Sequence, residues 1–405
     1  MPNSELVDER VTEEQHTGPV DLLIGIAGAV RAEELQAHVS KLQGLAQAHI
    51  AVAYPGSGKP ESVPAADAGF RLVPYSVAAA DPASLPWVVS AAAQRAICTL
   101  AAELDAKACV VVHGDLIAFD TAHIQSLSHA VAEKGCDLIL PVYPSRKYEA
   151  LLNHGILAPL TRALYGQRVR YPLPPDFGCS PQMFRKLSTA RDLGDGGLLW
   201  PSVQAAASNY QVCQVNLDVH HATQTEGLEL SAVLASLAGS AFAEMDAMAA
   251  YWQRVRSSHA TATFGSTAAQ VGDGEPADTK PLIDSFLLGS RNLQEIWGLV
   301  LPPVTLLELK RLTRVSPEAF RMPDSLWVRI IYDFALAYRL RKMNRGHLMG
   351  ALTPLYLGWV ASYMQEVAAL SPIAAEQRFE QLARAYEEEK PYLVSRWRWP
   401  DRFNP

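Results

Sequence analysis

A length of 405 residues allows one large α/β domain and a second unit, each with its own core. Hydrophobic residues make up 49% and charged residues 19%, as in an ordinary globular chain, and the net charge of −7 excludes general nucleic-acid binding, which needs a basic face. The most apolar late stretch, residues 352–364, is too short to span a bilayer and contains Pro354, so no membrane association is expected.

Residues 1–18 are polar and acidic, lack the apolar run of a signal peptide, and read as a disordered leader. "VDLLIGIAG" (20–28) is a continuous apolar strand, and residues 30–47 carry apolar positions at helical spacing. "HIAVAYPG" (49–56) and "FRLVPYS" (70–76) are two more strands. A helix over 87–104, a strand over 108–113, a helix over 121–134 and a strand over 136–143 follow. Strict alternation of this kind predicts a parallel sheet covered on both faces. The pattern then loosens into a helix near 150–165, a Pro-rich connection at 169–180, helices near 181–188 and 198–208, a strand over 212–221 and a long helix to about 256. Residues 261–280 read as a linker, and 281–405 are helical almost throughout. The predicted architecture is therefore an α/β domain over 19–260 and a helical C-terminal domain.

The five cysteines (Cys98, Cys109, Cys136, Cys179, Cys213) contain no C-x-x-C pair, and most lie in apolar runs. They read as buried free thiols of a reducing, cytoplasmic compartment.

Motifs for several chemistries are missing. "PGSGKP" (55–60) lacks the first glycine and the final Ser/Thr of a P-loop, and "GIAG" (25–28) is not a dinucleotide fingerprint. Neither G-x-S-x-G nor H-E-x-x-H occurs. The polar strand ends are more informative. The strand at 108–113 runs into His113-Gly114-Asp115, where open α/β sheets bind ligands, and alternation places His113 and Asp115 on one face. A plain βα turn would also use these residues. His220-His221 closes the last strand; adjacent strand residues face opposite ways, so at most one of them meets a ligand. Residues 146–191 hold Arg146, Lys147, Arg162, Arg168, Arg170, Arg185, Lys186 and Arg191 against only Glu149 and Asp176. Such a one-sided block suits a small anionic ligand, or else pairs with carboxylates elsewhere in the fold.

Residues 141–173 ("PVYPSRKYEALLNHGILAPLTRALYGQRVRYPL"), "DFGCS" (176–180), and "LWVRIIYDFALAY" with "LTPLYLGWVASY" in the tail carry a resemblance. The chain resembles, over about 20–400, the GT-A glycosyltransferases of the bacterial mannosylglycerate synthase and glucosyl-3-phosphoglycerate synthase branch. This resemblance implies a Rossmann-like nucleotide-sugar-binding domain that moves a hexose from a GDP-mannose or UDP-glucose type donor to a glycerate or phosphoglycerate, with retention. It also implies that His113 and Asp115 meet the donor, that Asp115 with His220 or His221 holds Mg²⁺ or Mn²⁺, that Asp176 orients the sugar, and that Arg146 receives the acceptor. A hard cation suits this reaction because the departing diphosphate gathers negative charge. The helical tail suggests a homodimer.

The sequence departs from the family pattern in one pocket. His113 stands where the Asp-x-Asp motif has its first aspartate, Pro174-Pro175 replace two glycines before Asp176, and the late Lys-x-His aligns with His220-His221-Ala222. Prolines donate no N–H, which predicts a donor-sugar pocket that is narrower and poorer in donors. The alternative reading is a catalytically degenerate GT-A protein that binds a ligand or a partner.

Overall fold

The computed structural model describes residues 19–28, 32–45, 49–56, 70–77, 85–113, 121–190, 198–218, 228–266 and 278–400. The expected leader at 1–18 and residues 267–277 of the expected linker lie outside them. Ten strands occur among the described residues: β1 (Leu22–Ala27), β2 (Ile50–Pro55), β3 (Arg71–Tyr75), β4 (Ala108–His113), β5 (Leu138–Val142), β6 (Gln167–Arg168), β7 (Phe177–Cys179), β8 (Val212–Asn216), β9 (His259–Ala260) and β10 (Ala262–Phe264). Eight of them form one sheet in the order β10-β8-β5-β7-β4-β1-β2-β3, and β6 with β9 makes a separate ribbon. The large sheet is parallel except for β7, which runs antiparallel to both β4 and β5. This is the α/β class that the strand–helix alternation predicts.

Every residue of β1 and β4 is buried, as expected for strands covered on both faces. Helices Ala32–Lys41 and Thr121–Lys134 cover one face. Helices Pro86–Glu103, Pro181–Ser188 and Pro201–Ala207 cover the other, and their core runs on without a break into the C-terminal helices.

Strand β7 lies in what reads as a Pro-rich connection. It has three residues, all buried, so neither length nor alternation marks it. Its centre is Gly178, where a Cβ would stand 2.6 Å from the Leu127 carbonyl oxygen of helix Thr121–Lys134. Glycine lets that helix lie directly on the strand. At the far edge, β10 pairs with β8 (Ala262↔Cys213 to Phe264↔Val215), so the sheet extends three residues into the expected linker.

The cysteine reading needs one correction. Cys136 and Cys213 form a disulfide across the neighbouring strands β5 and β8, while Cys98, Cys109 and Cys179 are buried free thiols. Cys136 lies just ahead of β5 and Cys213 within β8, and their Cα atoms stand 6.1 Å apart, within the range a bridge requires. With one bridge formed, cysteine usage no longer argues for a reducing compartment. No helix among the described residues is long and apolar enough to cross a membrane.

The sheet and the helical tail are joined at Gly155, inside the π-helical turn Asn153–Leu157. Its carbonyl oxygen accepts hydrogen bonds from Trp327 Nε1 and Tyr386 Oη, both at 2.9 Å. Its missing side chain leaves room for the Trp359 ring, which a Cβ would approach to 2.3 Å. That ring stacks on Trp327, Tyr356 and Tyr363 and has nowhere to retreat. Gly155→Ala should therefore lower stability by about 1–3 kcal/mol in urea unfolding. Gly350→Ala, where the new methyl meets nothing, should be neutral or stabilising by up to about 1 kcal/mol.

Two buried carboxyls give the fold a pH dependence. Burial pushes Glu244, which accepts a hydrogen bond from Gln204, up to about 7. Burial also raises Asp333 to about 7, although it is ion-paired with Arg396. Each holds its proton more tightly folded than unfolded, so stability should fall as pH rises from about 4.5 to 7 and level off above that. Glu244→Gln should flatten part of that slope and raise stability at pH 8 by up to about 3 kcal/mol, measured as the unfolding midpoint across pH.

Candidate functional site

Strand β4 ends at the carboxyl edge of the sheet with His113, and a cavity of about 390 Å³ opens there. Its floor includes His113 and Tyr143, the residue after β5. One wall is the start of helix Pro86–Glu103, with Trp87, Ser90, Ala91 and Gln94. The opposite walls are Tyr148 to Asn153, Leu173-Pro174-Pro175, Leu198-Leu199 and the first turns of helix Leu230–Ala247. Tyr356 from the C-terminal helices completes the lining, so both halves of the chain shape the site.

Asp176 holds the floor together. It is fully buried. One carboxylate oxygen accepts the His113 backbone N–H at 2.8 Å, and the other accepts the Tyr143 hydroxyl at 2.5 Å. His123 Nε2 lies 3.6 Å from the second oxygen. A charged acceptor that receives two donors in a dry interior makes strong bonds. Asp176 thus ties the ends of β4 and β5 to the start of β7, instead of lining the cavity. Burial and the nearby carboxylate together hold the Tyr143 hydroxyl well above the ordinary phenol range, so it stays a donor.

The remaining sequence-derived candidates divide as follows. His113 lines the cavity. Asp115, His220 and His221 lie outside the described residues, and among the described residues no group of three or more His, Cys, Asp or Glu is placed to hold a metal ion. The ends of β4 and β8 are three strand spacings apart, about 14 Å.

Arg146 follows β5 but is not part of the lining. Its side chain is 51% exposed, with Nε 3.8 Å from Glu149. Most of the basic block faces elsewhere. Arg162 pairs with Glu380 at 2.6 Å and Glu387 at 2.9 Å, and Arg170 pairs with Glu376, all three on helix Pro372–Glu388. Arg185 pairs with Asp105, and Lys147 Nζ donates to the Ala368 carbonyl. The block reads as an anion site along the sequence, but in the fold three of its members, Lys147, Arg162 and Arg170, hold the C-terminal helices to the α/β unit.

Sequence reasoning missed the helix wall. Trp87, Ser90, Ala91 and Gln94 fall at i, i+3, i+4 and i+7 of "WVVSAAAQ", one stripe of a helix, and polar Ser90 and Gln94 within an Ala-rich run are the signal that marks it.

No family model matches the chain, and no curated protein matches it either. Among solved structures it is similar to glucosyl-3-phosphoglycerate synthase from Mycobacterium tuberculosis in complex with phosphoglyceric acid. That match has 16% identity over 57% of this chain and 81% of the other, with a TM-score of 0.38. The same enzyme in complex with Mn²⁺, UDP-glucose and phosphoglyceric acid matches at 15% identity over 57% and 81%, with a TM-score of 0.37. A mycobacterial protein matches at 17% identity over 57% and 76%, also with a TM-score of 0.37. These are partial likenesses at low identity.

The Asp176 knot can be tested by a double-mutant cycle. Tyr143→Phe and Asp176→Asn should each cost about 1–3 kcal/mol, since each leaves a buried group short of its partner. The double variant should cost less than their sum by at least about 0.5 kcal/mol, measured by denaturant unfolding.

Proposed function

We propose that the chain is a nucleotide-sugar-dependent glycosyltransferase of the GT-A type. The observation that carries this reading is the cavity at the carboxyl edge of the sheet, floored by His113, the residue that leads into Gly114-Asp115. Ligands of open α/β sheets bind at that edge. The donor is a GDP-mannose or UDP-glucose type nucleotide sugar. Asp115 with His220 or His221 would hold Mg²⁺ or Mn²⁺, which when bound supplies neutralising charge for a departing diphosphate. The chain's own contribution is positional: Asp176 fixes the backbone of His113, and apolar walls exclude water from the transfer. Transfer proceeds with retention, and the protein acts as a homodimer. The acidic acceptor implied by the resemblance finds no lysine or arginine among the described lining residues.

Asp176 also favours a second reading, a binding protein on the same fold that no longer transfers sugar. Its carboxylate is fully buried and engaged by His113 and Tyr143, so it has no access to a sugar.

Calorimetric titration of the full chain with UDP and GDP, with and without Mn²⁺, tests the first reading. Metal-dependent nucleotide binding, weakened more than about tenfold by Asp115→Ala, is the expected result. Binding of the intact nucleotide sugar without transfer or hydrolysis would favour the second reading.

A further inference from the structure

A second cavity, of about 410 Å³, is lined by helix Lys390–Arg398 and by residues 253–256, and it shares no lining residue with the first. Its cations are Arg256, Lys390 and Arg398, in a chain whose net charge is −7. The one carboxylate of the described lining, Glu387, already accepts from Arg162 at 2.9 Å. Lys390 is 9% exposed, and its ammonium donates to two neutral groups, the carbonyls of Ala163 at 2.7 Å and Val255 at 2.8 Å. A buried cation bonded only to neutral acceptors keeps an uncompensated charge, which an anion beside it would offset. Arg256 is exposed and forms no hydrogen bond or ion pair among the described residues, while Arg398 Nε bonds to the neutral Gln253 side chain at 2.8 Å. Trp399 stands in the same lining. Six of the eight tryptophans are at most 3% exposed, but Trp399 is 61% exposed and meets no other aromatic ring among the described residues. An open indole beside three cations fits an aromatic ring joined to a phosphate: the ring stacks, and the phosphate takes charge-assisted hydrogen bonds from arginine. The volume lies within the range of small-molecule pockets.

We propose that this second cavity binds a mononucleotide, with its base on Trp399 and its phosphate among Arg256, Arg398 and Lys390. The site needs no metal ion, and it stands whether or not the chain transfers sugar at the sheet edge. Burial, with Arg256 nearby, lowers the Lys390 ammonium to about 8, against the pull of Glu387. Those two are the charged groups that act on it, and Glu387 is itself paired with Arg162. Helix Ala158–Tyr165 and the segment before Arg256 present only the carbonyls of Ala163 and Val255 to the ammonium. A bound phosphate favours the charged lysine, so binding at pH 8 takes up a proton and affinity falls as pH rises above about 8.

The test titrates the full chain at pH 8 in EDTA with AMP, adenosine and inorganic phosphate, followed by calorimetry and tryptophan fluorescence. EDTA keeps metal-dependent donor binding out of the measurement, so a failure here leaves the transferase reading untouched. AMP should bind at least about tenfold tighter than either adenosine or phosphate. Arg256→Ala combined with Arg398→Ala should weaken AMP at least about tenfold. Trp399→Ala should weaken AMP about fivefold or more and leave phosphate within about twofold. All three side chains are exposed, so the unfolding midpoint should stay unchanged in these variants. Lys390 is read without being mutated: heats measured in buffers of different ionisation enthalpy should show uptake of about 0.3–0.5 proton per AMP. AMP binding no tighter than adenosine, or undiminished when both arginines are removed, overturns the assignment of this cavity. Absence of proton uptake overturns the part given to Lys390.

Discussion

Gly155 is the point on which the two halves of the molecule meet. One carbonyl oxygen there serves two donors from the C-terminal helices, Trp327 and Tyr386, and the absence of a side chain lets Trp359 lie against the backbone. A π-helical turn frees a carbonyl from the usual ladder, and this one is spent on tertiary contacts rather than on water. The same turn supplies Asn153 and Leu157 to the cavity, so the joint and the candidate site are one piece of backbone. Helical tail and sheet accordingly share a single apolar core.

Charge is distributed with equal economy. Two of the cations that cluster between 146 and 191 in the sequence, Arg162 and Arg170, are neutralised by carboxylates of helix Pro372–Glu388, more than two hundred residues later. Arg162 is almost fully buried, so its two partners answer a real desolvation cost, whereas the half-exposed Arg146–Glu149 contact contributes little.

Much of the framework is legible from the chain alone. The continuous apolar runs at 22–27 and 108–113 mark central parallel strands because both faces are covered, and the helices between them follow from their spacing. Features set by distant contacts are not legible. Strand β7 is three residues long and is defined by neighbours more than 30 residues away in sequence; β10 is an exposed edge of three. The Cys136–Cys213 link depends on which strands become neighbours, which cysteine spacing does not encode. At the site, the acidic character of Asp176 is plain, but its role as a buried tie depends on Tyr143 and His113 converging on it from two other strands.

The position of β7 also makes it the joint between two parts of the sheet. β4 and β5 are consecutive in the chain, yet they do not touch; each pairs with β7, which is made some 35 residues after β5 ends. Without Phe177–Cys179 the sheet would be two pieces, β3-β2-β1-β4 and β5-β8-β10, with open edges facing each other. The edge of β4 that β7 covers would otherwise present a row of unpaired backbone groups, the kind of edge that invites pairing with the wrong strand. Two prolines just ahead of the incoming strand narrow its conformational search, and Asp176 then bonds to both banks of the seam at once. Pro174 and Pro175, which line the cavity, thus run directly into the strand that closes the sheet, so a substitution that reshapes this wall also acts on the seam.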